Sequence, residues 1–384
     1  MERVRFHLAR NGSGADPQSV ADAIRAEAGG PVDHSEILEA LRILRHEFTG
    51  VGPLEELLAE PDTTDILVTG PDEVWADGPD GLRRTEIRFA DDEAVRRLAQ
   101  RLALAAGRRL DDAQPYVDGW LPGAGQHGRV RLHAVLPPVA ADGTCISLRV
   151  LRPAVHDLPA LRTLGTFDGE GAELVASVVA ARLAFLVTGG TGAGKSTLLA
   201  AMLGAVDPRE RIVSVEDAGE LSPAHPQFVR LIARPSNVEG AGEITLRDLV
   251  RQALRMRPDR LVVGEVRGRE VCELLSALNT GHDGGACTLH ANSPAEVPAR
   301  LEALAALGGL SRAALHSQLA AAVQVVLHMR REGAGRRRLA EVGVLSRGET
   351  GDVRVLPVWQ AGAWTKRRVL FSALLADRGV RAPC

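Results

Sequence analysis

Leu183-Ala184-Phe185-Leu186-Val187-Thr188-Gly189-Gly190-Thr191-Gly192-Ala193-Gly194-Lys195-Ser196-Thr197-Leu198-Leu199 is an apolar run that dissolves into glycines and resumes as a second apolar run. Its centre matches the phosphate-loop pattern Gly-x4-Gly-Lys-Ser/Thr in full, at Gly189, Gly194, Lys195 and Ser196. The flanks decide the fold: the first run reads as a buried strand and the second as a helix, the setting in which such a loop works. Glycines let the backbone curl so that its N–H groups point inward, and the new helix adds the positive end of its dipole. Lys195 is placed to neutralise β- and γ-phosphate oxygens, and Ser196 to hold Mg²⁺ through its hydroxyl.

Composition sharpens the match. The chain has two lysines, Lys195 and Lys366, among 46 cationic residues, so a lysine at the one position the motif demands is not a product of abundance. Neither lysine lies in an Asn-Lys-x-Asp guanine-reading motif, which leaves adenine by elimination, and the expected cofactors are ATP and Mg²⁺.

Working outward, a helix over 172–181, the strand 183–188, a helix over 196–205, the strand 212–216, a helix over 246–256 and the strand 260–264 alternate as a parallel α/β domain does. Upstream, 65–70 and 73–76 read as short strands, 91–106 as a helix, and 130–135 and 145–150 as strands, a small α+β domain. Ile37, Leu38, Leu41 and Leu44 recur at helical spacing within 16–48. The expected organisation is a helical segment over 1–49, an α+β domain over 50–152, a linker over 153–165 marked by Arg152-Pro153, and the phosphate-loop domain over 166–384.

With 384 residues, 45% of them hydrophobic and 25% charged, the chain has the balance of a globular protein of two domains. Aromatic residues make up only 3%, and the formal net charge is −3, so nucleic-acid binding by base stacking and a basic surface is disfavoured. The basic runs Arg336-Arg337-Arg338 and Lys366-Arg367-Arg368 read as solvated strand or loop ends. Cys145, Cys272, Cys287 and Cys384 form no C-x-x-C pair, and a reducing cytosol fits. The charged start Met1–Gly12 is no signal peptide, and no uncharged apolar stretch reaches the roughly 18 residues of a membrane span.

A phosphate-loop ATPase needs carboxylates at neighbouring strand ends to order Mg²⁺ and the attacking water. Leu261-Val262-Val263-Gly264-Glu265 supplies one, with Glu265 in the catalytic role, and Ile212 to Asp217 with Glu220 just beyond supplies a second group. Asn279 to Gly285 leads into Cys287 to Ser293 as a polar, Gly-rich loop whose His282 and His290 suit γ-phosphate sensing better than zinc binding. Arg131, Arg149, Arg234, Arg255, Arg257 and Arg267 are candidates for neutralising transition-state charge, and the residues alone do not choose among them.

With these residues in view, the chain from about Gly50 to Met329 resembles the type II/type IV secretion ATPase superfamily, in the CpaF-like branch that powers tight-adherence (Flp-type) pilus assembly. The resemblance is carried by Gly-Pro-Leu-Glu at 52–55, the loop Gly189 to Thr197, Val215 to Glu220, Arg-Pro-Ser-Asn-Val-Glu-Gly at 234–240, Ala253 to Asp259, Gly264 to Gly268, Thr280 to Gly284 and Thr288 to Asn292. It implies a RecA-like C-terminal domain, a mobile N-terminal domain, and a homohexameric ring with nucleotide between the two. It further implies that Glu216, Asp217 and Glu220 form an acidic box with Glu216 and Asp217 at the metal, that Glu265 is the Walker B acid, and that His282 and His290 are paired sensors. Arg131 and Arg149 would reach the phosphates, with Arg129 as the alternative to Arg131 because 123–130 resembles an insertion. The implied place is cytoplasmic, peripheral at the inner face of the cell membrane, against an inner-membrane platform protein. A nucleic-acid motor for conjugation or DNA uptake is the competing reading, and a non-hydrolysing scaffold is opposed by Glu265 and Glu220.

Overall fold

The computed structural model describes residues 50–383 apart from 79, 122–128, 152–155, 235 and 237–240, so the helix expected within 16–48 lies outside the described residues. The chain divides into two compact units, Met1–Arg152 and Pro153–Cys384. Among the described residues no helix is long and apolar enough to cross a membrane.

In the first unit, α1 (Glu55–Ala59) precedes strands β1 (Asp65–Thr69), β2 (Val74–Asp77) and β3 (Arg83–Arg84). Helix α2 (Asp92–Ala105) follows, then β4 (Tyr116–Leu121), β5 (Arg129–Val135) and β6 (Cys145–Leu151). The strands form one antiparallel sheet in the order β3-β2-β1-β6-β5-β4. Burial alternates along β5 and β6, so Val130, Leu132, Leu148 and Val150 turn inward while Arg129, Arg131 and Arg149 turn outward. Helix α2 covers the inner face with Val95, Leu98, Ala99 and Leu102. It starts where Asp91 accepts a hydrogen bond from the Ala94 amide at 2.7 Å, satisfying an otherwise orphaned donor.

The second unit opens with helices α3 (Leu158–Thr163) and α4 (Gly169–Ala180), then β7 (Phe185–Thr188), α5 (Lys195–Gly204), β8 (Ile212–Glu216) and β9 (Phe228–Ile232). It continues through α6 (Leu246–Ala253), β10 (Arg260–Val266), α7 (Val271–Leu278), β11 (Ala286–Leu289), α8 (Val297–Leu307) and α9 (Arg312–Ala322). Strands β12 (Val325–Arg331), β13 (Arg337–Arg347), β14 (Val353–Gln360) and β15 (Ala363–Trp364) precede the last helix, α10 (Arg368–Asp377). The nine-stranded sheet runs β15-β14-β13-β12-β7-β11-β10-β8-β9. Neighbours from β12 to β9 are parallel, and β13 to β15 extend the sheet as an antiparallel meander. Helices cover both faces: α3, α4, α5 and α10 bury one apolar layer, and α6 to α9 the other. Both faces being covered explains why β7, β8 and β11 are buried at every position rather than at alternate ones.

Two sequence expectations give way here. Residues 153–165, expected as a linker, contain α3, whose Leu158 and Leu161 are buried in the core of the second unit. The stretch from Asn279 to Ser293, expected as a polar loop, contains β11, whose central place between β7 and β10 buries Cys287 completely. That burial pushes the Cys287 thiol far above its ordinary range, as an inert core residue.

Candidate nucleotide-binding site

Strand β7 ends at Thr188, and the chain turns at Gly189 with φ 143°. A Cβ at that residue would stand 2.3 Å from the Met329 carbonyl oxygen, so the backbone of β12 is the floor on which the loop lies. Gly192 at φ 70° and Gly194 at φ 90° complete the reversal, and α5 begins at the next residue. The requirement for positive φ at these steps is met only by glycine without strain.

Lys195 is folded into the loop rather than out of it. Its Nζ donates to the Gly190 carbonyl at 2.8 Å and lies 3.4 Å from Nε2 of His290. Burial draws its pKa below the ordinary lysine range, against the pull of Glu265 and Glu220. Next along, the Ser196 hydroxyl donates to Glu220 Oε2 at 3.2 Å. A hydroxyl and a carboxylate side by side at a helix N-terminus are hard oxygen donors, the set that Mg²⁺ selects.

Glu265 stands near the end of β10, with Oε1 2.6 Å from His290 Nε2 and Oε2 paired with Arg267. Thr188 and Leu289 sit side by side at the ends of β7 and β11, which sets His290, the next residue, beside the loop. The Thr288 hydroxyl donates to the Gly264 carbonyl at 2.6 Å and ties β11 to β10 just before both side chains emerge. Burial, then Lys195, holds the His290 pKa below its usual value, with Glu265 opposing.

Other expected partners have local contacts of their own. Glu216 is buried with both carboxylate oxygens committed, Oε1 accepting from the Ser214 hydroxyl at 3.0 Å and Oε2 from the Leu221 amide at 2.8 Å. Burial raises its pKa, and its bonds pin the turn that carries Glu220 to Ser196. Asp217 is exposed on that same turn. His282 precedes β11 while the loop follows β7, and the two strands are parallel, so His282 lies at the opposite edge of the sheet from the loop. Its Nδ1 is 3.0 Å from the Ala277 carbonyl, at the end of α7. Arg131 and Arg149 face each other across β5 and β6 in the first unit. Arg131 holds Asp118 through two bonds at 2.8 and 2.7 Å, and Arg149 holds Asp65 at 2.8 Å. Arg129 lies over the Trp120 ring at 4.6 Å. Of the remaining arginines, Arg234 donates to the Gly242 carbonyl and Arg255 to that of Arg251.

Three residues at the loop are not among the candidates read from the sequence, Arg337 being read there only as part of a run at a solvated strand or loop end. His328 pairs with Thr188 across β12 and β7, and its Nδ1 is 3.0 Å from the Thr188 hydroxyl. Arg337 donates through Nε to the Gly192 carbonyl at 3.1 Å, and Arg331 reaches to 3.7 Å from the Cβ position of Gly192. A lone histidine in an apolar strand and an arginine run at a strand end have bland readings as good as any other.

The cradle, the buried lysine and the Ser196–Glu220 oxygen pair therefore fit a Mg²⁺–polyphosphate. A family model described as type II/IV secretion system protein matches residues 47–344. A Mycobacterium tuberculosis protein whose name places it provisionally in conjugal transfer is 70% identical over 328 residues, which is 85% of this chain and 93% of that one. The type IV secretion system protein PtlH of Bordetella pertussis is 31% identical over 314 residues, 74% of this chain and 91% of that one. Among solved structures, the pilus retraction motor PilT with bound ADP superposes with a TM-score of 0.53 at 19% identity, over 84% of this chain and 86% of that one, a likeness of fold that is RecA-like.

Proposed function

Because the chain belongs to the type II/IV secretion system protein family, we propose that it is a Mg²⁺-dependent ATPase. In this reading it acts as a homohexameric motor at the inner face of the cell membrane, driving pilus assembly of the tight-adherence type, or protein secretion, through an inner-membrane platform protein. The observation that carries the reading is the convergence of Lys195, His290 and Glu265 within 3.4 Å steps beside the glycine cradle.

When bound, ATP would supply the phosphoanhydride to be cleaved and Mg²⁺ the positive charge that its phosphates need. Backbone N–H groups from Gly190 to Thr197 would hold the phosphates, Lys195 would neutralise them, and Ser196 with Glu220 would hold the metal, Asp217 lying on the same turn. Glu265 orients and deprotonates the attacking water. His290, whose Nε2 lies 2.6 Å from Glu265 and 3.4 Å from Lys195, stands between that carboxylate and the loop and sits where a change at the γ-phosphate is felt first.

A nucleic-acid motor is the second reading, favoured by the conjugal-transfer name of the 70% identical relative. Mg²⁺-ATP hydrolysis by the purified protein, with and without single-stranded DNA and with Glu265→Gln as the contamination control, tests both. Turnover lost in the variant and indifferent to DNA supports the assembly motor. Turnover raised severalfold by DNA moves the second reading to first place, and parental turnover that survives in Glu265→Gln removes the catalytic assignment.

A further inference from the structure

Strands β12 and β13 form a hairpin that sets Arg331 directly opposite Arg337 and Arg330 directly opposite Arg338. Like charges facing each other across a strand pair destabilise it. Within the hairpin the Glu332 carboxylate comes to 4.0 Å from Arg338. The arrangement is costly unless one face of the hairpin is used. Strand pleating puts the two pairs on opposite faces, and the Arg331–Arg337 face is the one that meets the phosphate loop. There the Arg337 chain passes 3.1 Å from the Cβ position of Gly194, its Nε bonds the Gly192 carbonyl at 3.1 Å, and Arg331 lies alongside Gly192.

We propose that Arg337, assisted by Arg331, is a positioning residue of the nucleotide site, a clamp on the outer side of the phosphate loop. A loop that aims its N–H groups inward at phosphate must aim carbonyls outward, and those at the exposed apex of the loop have no helix or sheet partner. Arg337 takes the Gly192 carbonyl. That carbonyl belongs to the same peptide unit as the Ala193 N–H, which turns back to the Gly190 carbonyl at 3.4 Å, so a cationic donor on the oxygen polarises the unit and holds this turn of the loop in shape. The arginine pair also places positive charge beside a site built for a polyanion, and bound polyphosphate relieves the repulsion between the two guanidinium groups. The clamp rests on the nucleotide-site reading and adds to it residues far along the chain that the motif does not contain.

The test measures the dissociation constant of Mg²⁺-ATP and the separate KM and kcat for hydrolysis in the full-length protein and its variants. Arg337→Ala raises Kd and KM roughly tenfold with kcat within about twofold, the effect of losing a hydrogen bond with a charged donor. Arg337→Lys, which keeps the charge and a donor, recovers most of that affinity, and Arg331→Ala gives a smaller rise. Arg338→Ala, on the other face and equal in charge, leaves Kd unchanged. Should Arg337→Ala not fold, Arg337→Gln answers the same question. An unchanged Kd in the Arg337 variants overturns the clamp, as does an equal shift in Arg338→Ala, which would mean diffuse charge. A parental protein that binds no Mg²⁺-ATP defeats the nucleotide-site reading itself, whereas parental binding with insensitive variants defeats the clamp alone.

Discussion

The Glu265 carboxylate and the His290 imidazole meet at 2.6 Å, one at the end of β10 and the other just past β11, although 24 residues separate β10's Gly264 from Thr288, whose hydroxyl joins the strands below them. The contact makes two separate roles testable. Glu265→Gln removes the base and keeps the shape, so kcat falls by on the order of 10²-fold or more while Mg²⁺-ATP still binds. His290→Ala leaves the base unaimed and costs less, with KM little changed. Single-turnover hydrolysis separates the two, and equal losses in both variants would show that they act as one unit.

Ser196 and Glu220 stand 3.2 Å apart and together present the hard oxygens of the site. Glu220→Ala is expected to shift the Mg²⁺ concentration for half-maximal hydrolysis upward by about tenfold, the cost of a charge-assisted contact, and to leave ADP binding without metal unaffected. A Mg²⁺ titration of activity decides it, and an unshifted midpoint would move the metal role to Asp217.

At Gly189, φ is 143° and a Cβ would sit 2.3 Å from the Met329 carbonyl oxygen. Gly189→Ala therefore forces β7 and β12 apart, an overpacking cost of about 1–3 kcal/mol before the strain of φ is added. The expected result is a melting temperature lower by several degrees together with lost nucleotide binding. Full stability with lost binding would mean the loop moves freely off β12.

His328 is buried against Thr188, and burial, then the nearby Arg330, depresses its pKa below 6.5. The sign follows from proton counting: between the folded pKa and 6.5 the unfolded chain holds the proton and the folded chain does not. Stability is thus fully present above about pH 6.5 and falls as pH drops through the window beneath it. His290 shares the direction. In urea titrations at pH 7.5 and 5.5 the parent loses more stability on acidification than His328→Asn, and equal losses would assign the dependence elsewhere.

Much of this site was legible because its parts are local. The strand, glycines, lysine and helix of the loop are contiguous, and 212–216, read as a strand from its apolar run, is β8 to the residue. Glu265 was legible because an apolar run leads into it, although β10 continues through it to Val266. What the sequence hid depends on register. Ala286-Cys287-Thr288-Leu289 is short, flanked by glycine and poor in β-branched residues, so nothing local marked it as a central strand. Once β11 is in place, His282 and His290 fall at opposite edges of the sheet, a separation that their shared polar surroundings conceal. Arg337 touches Gly192 from 145 residues away, through a hairpin whose partner strand was unknown. Glu216 is the reverse case, an acid in the expected place whose oxygens are already taken by Ser214 and Leu221.

Far from the loop, Arg260 opens β10 with its side chain only 2% exposed. Its Nε bonds Glu210 Oε2 at 2.7 Å and a terminal nitrogen bonds the Val179 carbonyl at 3.0 Å, at the end of α4. Arg182 approaches the same Glu210 at 3.0 Å from a solvent-reaching position. Removing Glu210 leaves Arg260 charged and buried with only a carbonyl beside it, because an arginine does not shed its proton. Glu210→Ala is therefore expected to cost about 3–5 kcal/mol. Glu210→Leu with Arg260→Met, which removes both charges and keeps volume, is expected to recover most of that loss. Urea unfolding of the three proteins measures the coupling. A double variant no better than Glu210→Ala would mean that the Val179 contact, tying α4 to β10, carries the stability and the ion pair does not.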